Sequence, residues 1–244
     1  MATRTENEHH LILPEGSLVV FVDDTGHEAL VPGHPVYGLG GCAAMGKDLD
    51  RIIQQPWREV RRKVTGSPDT PLHANTFAGF ATPENIRTVA ELFHAQPFAR
   101  FGAIISFKTA LADELAPVPT IAKVLQERIR ELASRTSFTS IAIIFESSQR
   151  ADRLIEAAFQ DFGLEECGKP IPVECYFMRK EIGNPALEVA DFVMHAVGRQ
   201  ARQNLKKRGE FAPDFCAVFH STNRNLTSFM EVESVTRDDG KHTE

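Results

Sequence analysis

The chain has 244 residues, 42% hydrophobic and 25% charged, with a net charge of -6. That length carries a sizeable core, and the composition is that of a globular protein, not of a fibrous or disordered one. The acidic balance argues against wholesale nucleic-acid binding by bulk electrostatics, while leaving room for a local basic groove.

No apolar run approaches the roughly 20 residues that span a bilayer, and the polar start from Met1 to His10 lacks the apolar core of a signal peptide. The expected place is therefore the cytoplasm, with no membrane partner. Cys42, Cys167, Cys175 and Cys216 form no CxxC pair and sit mostly in apolar surroundings. They read as buried free thiols rather than zinc ligands.

Residues 1–16 are expected to be a flexible lead-in. Leu18 to Val22 is an apolar run that reads as a buried strand, with Gly26 as the turn that ends it. Tyr37 to Met45 is a second strand, rich in glycine. Asp48 to Val64 is helical by pattern, with Leu49, Ile52, Ile53 and Val60 on one face. A loop follows to Pro71, and residues 72–77 fit no class. Thr82 as N-cap and Pro83 at N1 open another helix. Arg100 to Lys108 reads as a strand, Pro119 to Thr136 as a helix, and Ser140 to Phe145 as a strand. Ala151 to Phe162 reads as a helix ended by Gly163, Pro172 to Phe177 as a strand. Asn184-Pro185 opens a long helix to about Arg208, and Phe215 to Phe219 and Phe229 to Val235 are expected to be closing strands. Alternating strands and helices predict one α/β domain over 17–235, with a polar tail at 236–244.

Three carboxylates stand out against this pattern. Asp23 follows the first apolar strand, Glu146 follows Ile141 to Phe145, and Asp191 lies inside the apolar helix between Ala190 and Phe192. A carboxylate in such a place is costly unless a cation offsets its desolvation. Three of them from distant parts of the chain suggest a divalent-metal site. At helical spacing, Asp191 shares its face with Glu188, His195 and Arg199, and Arg202 and Lys206 continue that face. Acid with histidine and arginine suits a metal-bound phosphate: the acid holds the ion, and His195, Arg199 and Arg202 meet the phosphate oxygens. Arg58, Arg61, Arg62 and Lys63 on the earlier helix are further candidates for phosphate contacts. No Walker loop, nucleophile elbow or zinc-binding His-Glu-x-x-His helix is present.

Taken in order, Val22-Asp23-Asp24-Thr25-Gly26, the glycine-rich Tyr37 to Met45, Leu72-His73-Ala74, Ile143-Ile144-Phe145-Glu146 and Glu188-Val189-Ala190-Asp191 resemble the family of domain of unknown function 3800, in the ribonuclease H-like superfamily. The resemblance covers about residues 17 to 208. Pro71 stands where that family often has an acid, and Glu146 where an aspartate is common. The resemblance implies a ribonuclease H-like mixed sheet flanked by helices, with the first strands antiparallel and the later ones parallel. It implies that Asp23, Asp24, Glu146 and Asp191 hold Mg2+ or Mn2+, with His73 moving a proton or touching phosphate. The implied activity is a metal-dependent nuclease or related phosphodiester hydrolase, contacting nucleic acid through its phosphates. A non-catalytic binding or regulatory module of the same fold is the alternative. Asp23-Asp24-Thr25-Gly26 is also similar to the nucleophile loop of haloacid-dehalogenase-type phosphatases, whose later Gly-Asp loop is missing here. That reading calls for a wholly parallel sheet.

Overall fold

The computed structural model describes residues 13–30, 33–107, 116–148, 150–166, 168–206, 209–219 and 225–232. The expectations for residues 1–12 and for the tail at 236–244 lie outside these, as does Cys167.

Six strands form one mixed sheet in the order β7-β4-β1-β2-β3-β8. β1 (Ser17–Gly26), β2 (Val36–Met45) and β3 (Ala99–Phe107) run antiparallel to their neighbours in that series. β4 (Ser140–Glu146) pairs parallel to β1, and β7 (Val173–Met178) parallel to β4. β8 (Asn225–Val232) pairs parallel to β3 at the other edge. Gly26 ends β1 with φ +89, a left-handed conformation that glycine adopts without strain. The sheet is not wholly parallel, so the arrangement required by the phosphatase reading is absent.

Apolar side chains leave both faces of β1, which is why that strand reads as a continuous apolar run and not an alternating one. Val19 and Phe21 join one core with Trp57, Phe93, Phe192 and Val193. Leu18, Val20 and Val22 join the other with Ile121, Leu125, Ile129 and Phe159. The first face is covered by α1 (Gly46–Leu49), a π-helical turn at Asp50–Gln54, α2 (Gln55–Thr65), α3 (Ala74–Phe80), α4 (Pro83–Ala95), α7 (Pro185–Leu205) and α8 (Pro213–Phe219). α5 (Pro117–Ala133) and α6 (Asp152–Phe159) cover the second face. A small hairpin of β5 (Leu164–Glu166) and β6 (Lys169–Ile171) stands apart from the main sheet.

Several local features depart from the sequence reading. The single helix expected from Asp48 is interrupted by the π turn, where Pro56 has no N–H to offer the preceding turn. The unclassified 72–77 segment opens α3. Phe215 to Phe219 is helical: Pro213 begins it, and Phe215, Val218 and Phe219 are buried at helical spacing. Cys216 is exposed on that helix, while Cys42 and Cys175 are the buried free thiols expected.

Candidate metal centre

Parity along the strands decides which acids meet. Asp23 continues the face of Val19 and Phe21, and Glu146 the face of Ile144, all toward α7. Val22 pairs with Phe145, so Asp23 and Glu146 follow as neighbours at the exits of adjacent parallel strands. α7 supplies Asp191. The helix lies tight on the sheet because β2 carries glycine beneath it. A Cβ at Gly41 would stand 2.7 Å from the Ala190 Cβ, and one at Gly40 2.7 Å from the Met194 sulfur.

These acids feel one another. Asp23 is buried, and burial pushes its carboxyl well above the ordinary aspartate value. The charges of Asp191, Glu146 and Asp24 push it the same way, against the hydrogen bond that Asp23 Oδ1 accepts from the Asp24 N–H at 2.8 Å. Asp24 itself lies on the other face of β1, the face of Val22 and of the buried Tyr37. Burial, with Glu146 nearby, raises its pKa to about 6. Asp23, Glu146 and Asp191 thus lie on the α7 side of the sheet within reach of one another's charge, and Asp24 lies on the opposite side of the strand.

Asp191 also shapes the loop above it. Its Oδ2 accepts the Ala74 N–H at 2.9 Å, at the start of α3, and stands 3.8 Å from His73 Nδ1. That carboxylate holds the His73 pKa above the ordinary histidine value, against partial burial and the Lys180 charge. One turn earlier on α7, Glu188 is buried in a closed network. Its Oε2 accepts from Trp57 Nε1 at 2.7 Å, Arg61 Nε at 2.9 Å and the Leu72 N–H at 3.0 Å, and its Oε1 from Arg61 Nη2 at 2.7 Å. Arg61 Nη2 also donates to the Gly183 carbonyl at 2.6 Å.

The expected phosphate contacts fare differently. Arg61 is a buried structural partner of Glu188, which corrects its assignment to a basic surface. Arg62 is exposed and paired with Glu59. Arg199 is ion-paired with Asp214 at 2.8 Å. Arg202 is exposed, with its guanidinium near Gly198, and local desolvation and the Arg199 charge hold its pKa below the ordinary arginine value. His195 lines an apolar cleft of about 160 Å3 with Phe77, Ile86 and Phe192. Its Nε2 has no hydrogen-bond partner among the described residues.

The sequence reading missed Lys180, on the single turn Lys180–Ile182 after β7. Its Nζ stands 3.0 Å from Glu146 Oε2. Burial works against its charge, but Asp191, Glu146 and Asp23 together hold its pKa above the ordinary lysine value. A larger cleft of about 690 Å3, lined by Arg130, Arg135 and Phe138, lies where β4 begins, at the opposite end from the acids.

Among the described residues no group of three or more His, Cys, Asp or Glu side chains is arranged so that it could hold a metal ion. Asp23, Glu146 and Asp191 are nevertheless of the donor type that a hard divalent cation takes. Their carboxylate oxygens come from three different elements, and the mutual repulsion felt at Asp23 marks a surplus of negative charge. No protein-family model matches the chain, and no curated protein matches it.

Proposed function

We propose that this chain is a Mg2+- or Mn2+-dependent hydrolase of phosphodiester bonds, of ribonuclease H-like architecture. The observation that carries the reading is the grouping of Asp23, Glu146 and Asp191, from two adjacent strand exits and a helix, around a shared surplus of negative charge. The strand series β3-β2-β1-β4-β7 supports it, with three antiparallel strands followed by two parallel ones. When bound, a divalent ion supplies Lewis-acid activation of water and of the phosphoryl oxygen.

The chain's own residues have distinct tasks in this reading. Asp23, Glu146 and Asp191 hold the ion. His73, kept basic by Asp191 beside its buried Nδ1, accepts or donates a proton at its other ring nitrogen. The Ala74 N–H fixes the Asp191 carboxylate, so the histidine and the acid move as one unit. Arg199 and Arg202 lie about 12 and 16 Å along the α7 axis from Asp191, at 1.5 Å per residue. At that distance they serve the flanking phosphates of a polymer, not the scissile one. The non-catalytic alternative draws on one observation: Lys180 already offsets part of the acid charge.

The test is Asp191→Asn, followed by calorimetric titration with Mn2+ and by thermal melts in chelator. The amide keeps an acceptor for the Ala74 N–H and removes one repelling charge. The variant is expected to match or exceed the parent's stability in chelator and to lose most of its Mn2+ binding. A variant that melts lower in chelator yet binds Mn2+ as the parent does would refute the assignment.

A further inference from the structure

Four helices leave a gap between them on the α7 side of the sheet. α3, α4, α7 and α8 each place a small side chain there, Ala78, Ala90, Ala196 and Ala217, and a cleft of about 160 Å3 remains. Phe77 and Phe192, both buried, line it with ring centroids 5.3 Å apart, and Ile86, 51% exposed, marks its opening to solvent. Arg199 and Asp214 also line it, but they satisfy each other in an ion pair at 2.8 Å. His195 does not have such a partner. Its Nε2 is buried without a hydrogen bond among the described residues. A buried polar atom in that condition costs free energy until a partner arrives.

We propose that this cleft is a binding site for a small neutral ring compound bearing one hydroxyl, phenol being the simplest of the class, with the hydroxyl bonded to His195 Nε2. The space is close to the roughly 150 Å3 of an apolar protein cavity that takes up benzene. Phe77 and Phe192, tilted at 58°, offer faces and edges to a third aromatic ring. The histidine selects the polar group. Burial, with the Arg199 and Arg202 charges, favours its neutral form against the pull of Asp191 and Asp214. A neutral imidazole has one donor and one acceptor nitrogen, and a hydroxyl, which does both, serves Nε2 in either tautomer. A phosphate, the contact expected of His195 from the sequence, would lose its water among these apolar side chains with Arg199 already paired. A lone water is a poor occupant, because it needs about two to four polar partners, and Nε2 is the one unpartnered buried side-chain atom of the lining among the described residues. The cleft takes its ligand whether or not the acids hold an ion, since Asp23, Glu146 and Asp191 do not line it.

Titration of the full chain with phenol and with benzene, followed by amide chemical shifts, tests this. Phenol is expected to shift the amides of Phe77, Ala90, Ala196 and Ala217 saturably. His195→Leu keeps the lining apolar and removes the polar partner. It is expected to weaken phenol binding about three- to tenfold, the scale of one hydrogen bond, while benzene binds as before. Ala90→Leu fills the cleft and is expected to abolish binding of both; should it fail to fold, Ala217→Leu carries the same comparison. The absence of saturable shifts, shifts scattered over the surface, or phenol binding that survives the filled cleft would each overturn the site. Equal phenol affinity in His195→Leu and the parent overturns the role of Nε2, and the ligand class with it.

Discussion

Two acids one turn apart on α7 do different work, and their surroundings decide which does what. Glu188 is buried with every strong donor around it aimed at its oxygens, so it is a structural charge. Removing one member of a buried pair strands the other. Glu188→Ala is therefore expected to lose about 3–5 kcal/mol of stability by urea denaturation; a loss under about 1 kcal/mol contradicts the network. Among the described residues Asp191 has one backbone donor and a histidine, with acids and the Lys180 charge nearby. The sequence shows both acids inside an apolar helix but cannot tell them apart. The signal for the pair was Trp57 and Arg61, four apart and hence on one face of α2, pointing into the core. His195 carries a pH signature. Burial lowers its pKa below 6.5, with Arg199 and Arg202 assisting and Asp191 and Asp214 opposing. Its contribution to stability is complete above about pH 6.5 and is lost as pH falls through the lowered value. His195→Leu is expected to lose less stability than the parent between pH 7.5 and 5.

The elements most legible in the sequence are those whose edges carry punctuation. Thr82 with Pro83 and Asn184 with Pro185 place the starts of α4 and α7, and the caps form as expected: Thr82 Oγ1 accepts the Asn85 N–H, and Asn184 Oδ1 the Ala186 N–H. Phe215 to Phe219 misled because five mostly apolar residues serve a short helix or a short strand equally well. The glycines of β2 were visible, but their purpose was not, since only the fold shows what lies above them. Gly41→Val puts a Cβ 2.1 Å from the Phe21 carbonyl oxygen and 2.7 Å from the Ala190 Cβ. It is expected to cost about 1–3 kcal/mol or more through overpacking, and to weaken Mn2+ binding by lifting Asp191 off the sheet. Gly163→Ala, with open space around its Cβ, is the control and should change neither measurement. A Gly41→Val protein with the parent's stability would show that the close contact of helix and sheet is not required.

Across the whole molecule, alternating strands and helices announced an α/β sheet, while its mixed character, antiparallel first and parallel later, was expected from the resemblance and not from periodicity. Pairing depends on contacts between distant segments, which local periodicity does not encode. Asp23, Glu146 and Asp191 were legible because each interrupts an apolar run. Lys180 was not, because Arg179-Lys180-Glu181 after an edge strand reads as an ordinary solvated turn. The side chosen by Asp24 follows from the two-residue period once Asp23 is fixed. If the acids bind metal, the entire fold is stabilised, because the unfolded chain has no such site. At Mn2+ a hundredfold above its dissociation constant the gain is about 2.7 kcal/mol, or a rise of about 5–10 °C in melting temperature for a chain of this size. An unchanged melt at millimolar Mn2+ would remove the metal reading. The order of the acids along the chain has a temporal consequence. β1, β2 and β3 pair with neighbours in sequence, whereas Asp191 must return to β1 from the last third of the chain. Such distant closures form late, after the loop entropy has been met. A polypeptide emerging from the ribosome thus pairs β1, β2 and β3 well before its three acids can meet. A fragment that stops short of α7 holds the first two acids with nothing to bring the third.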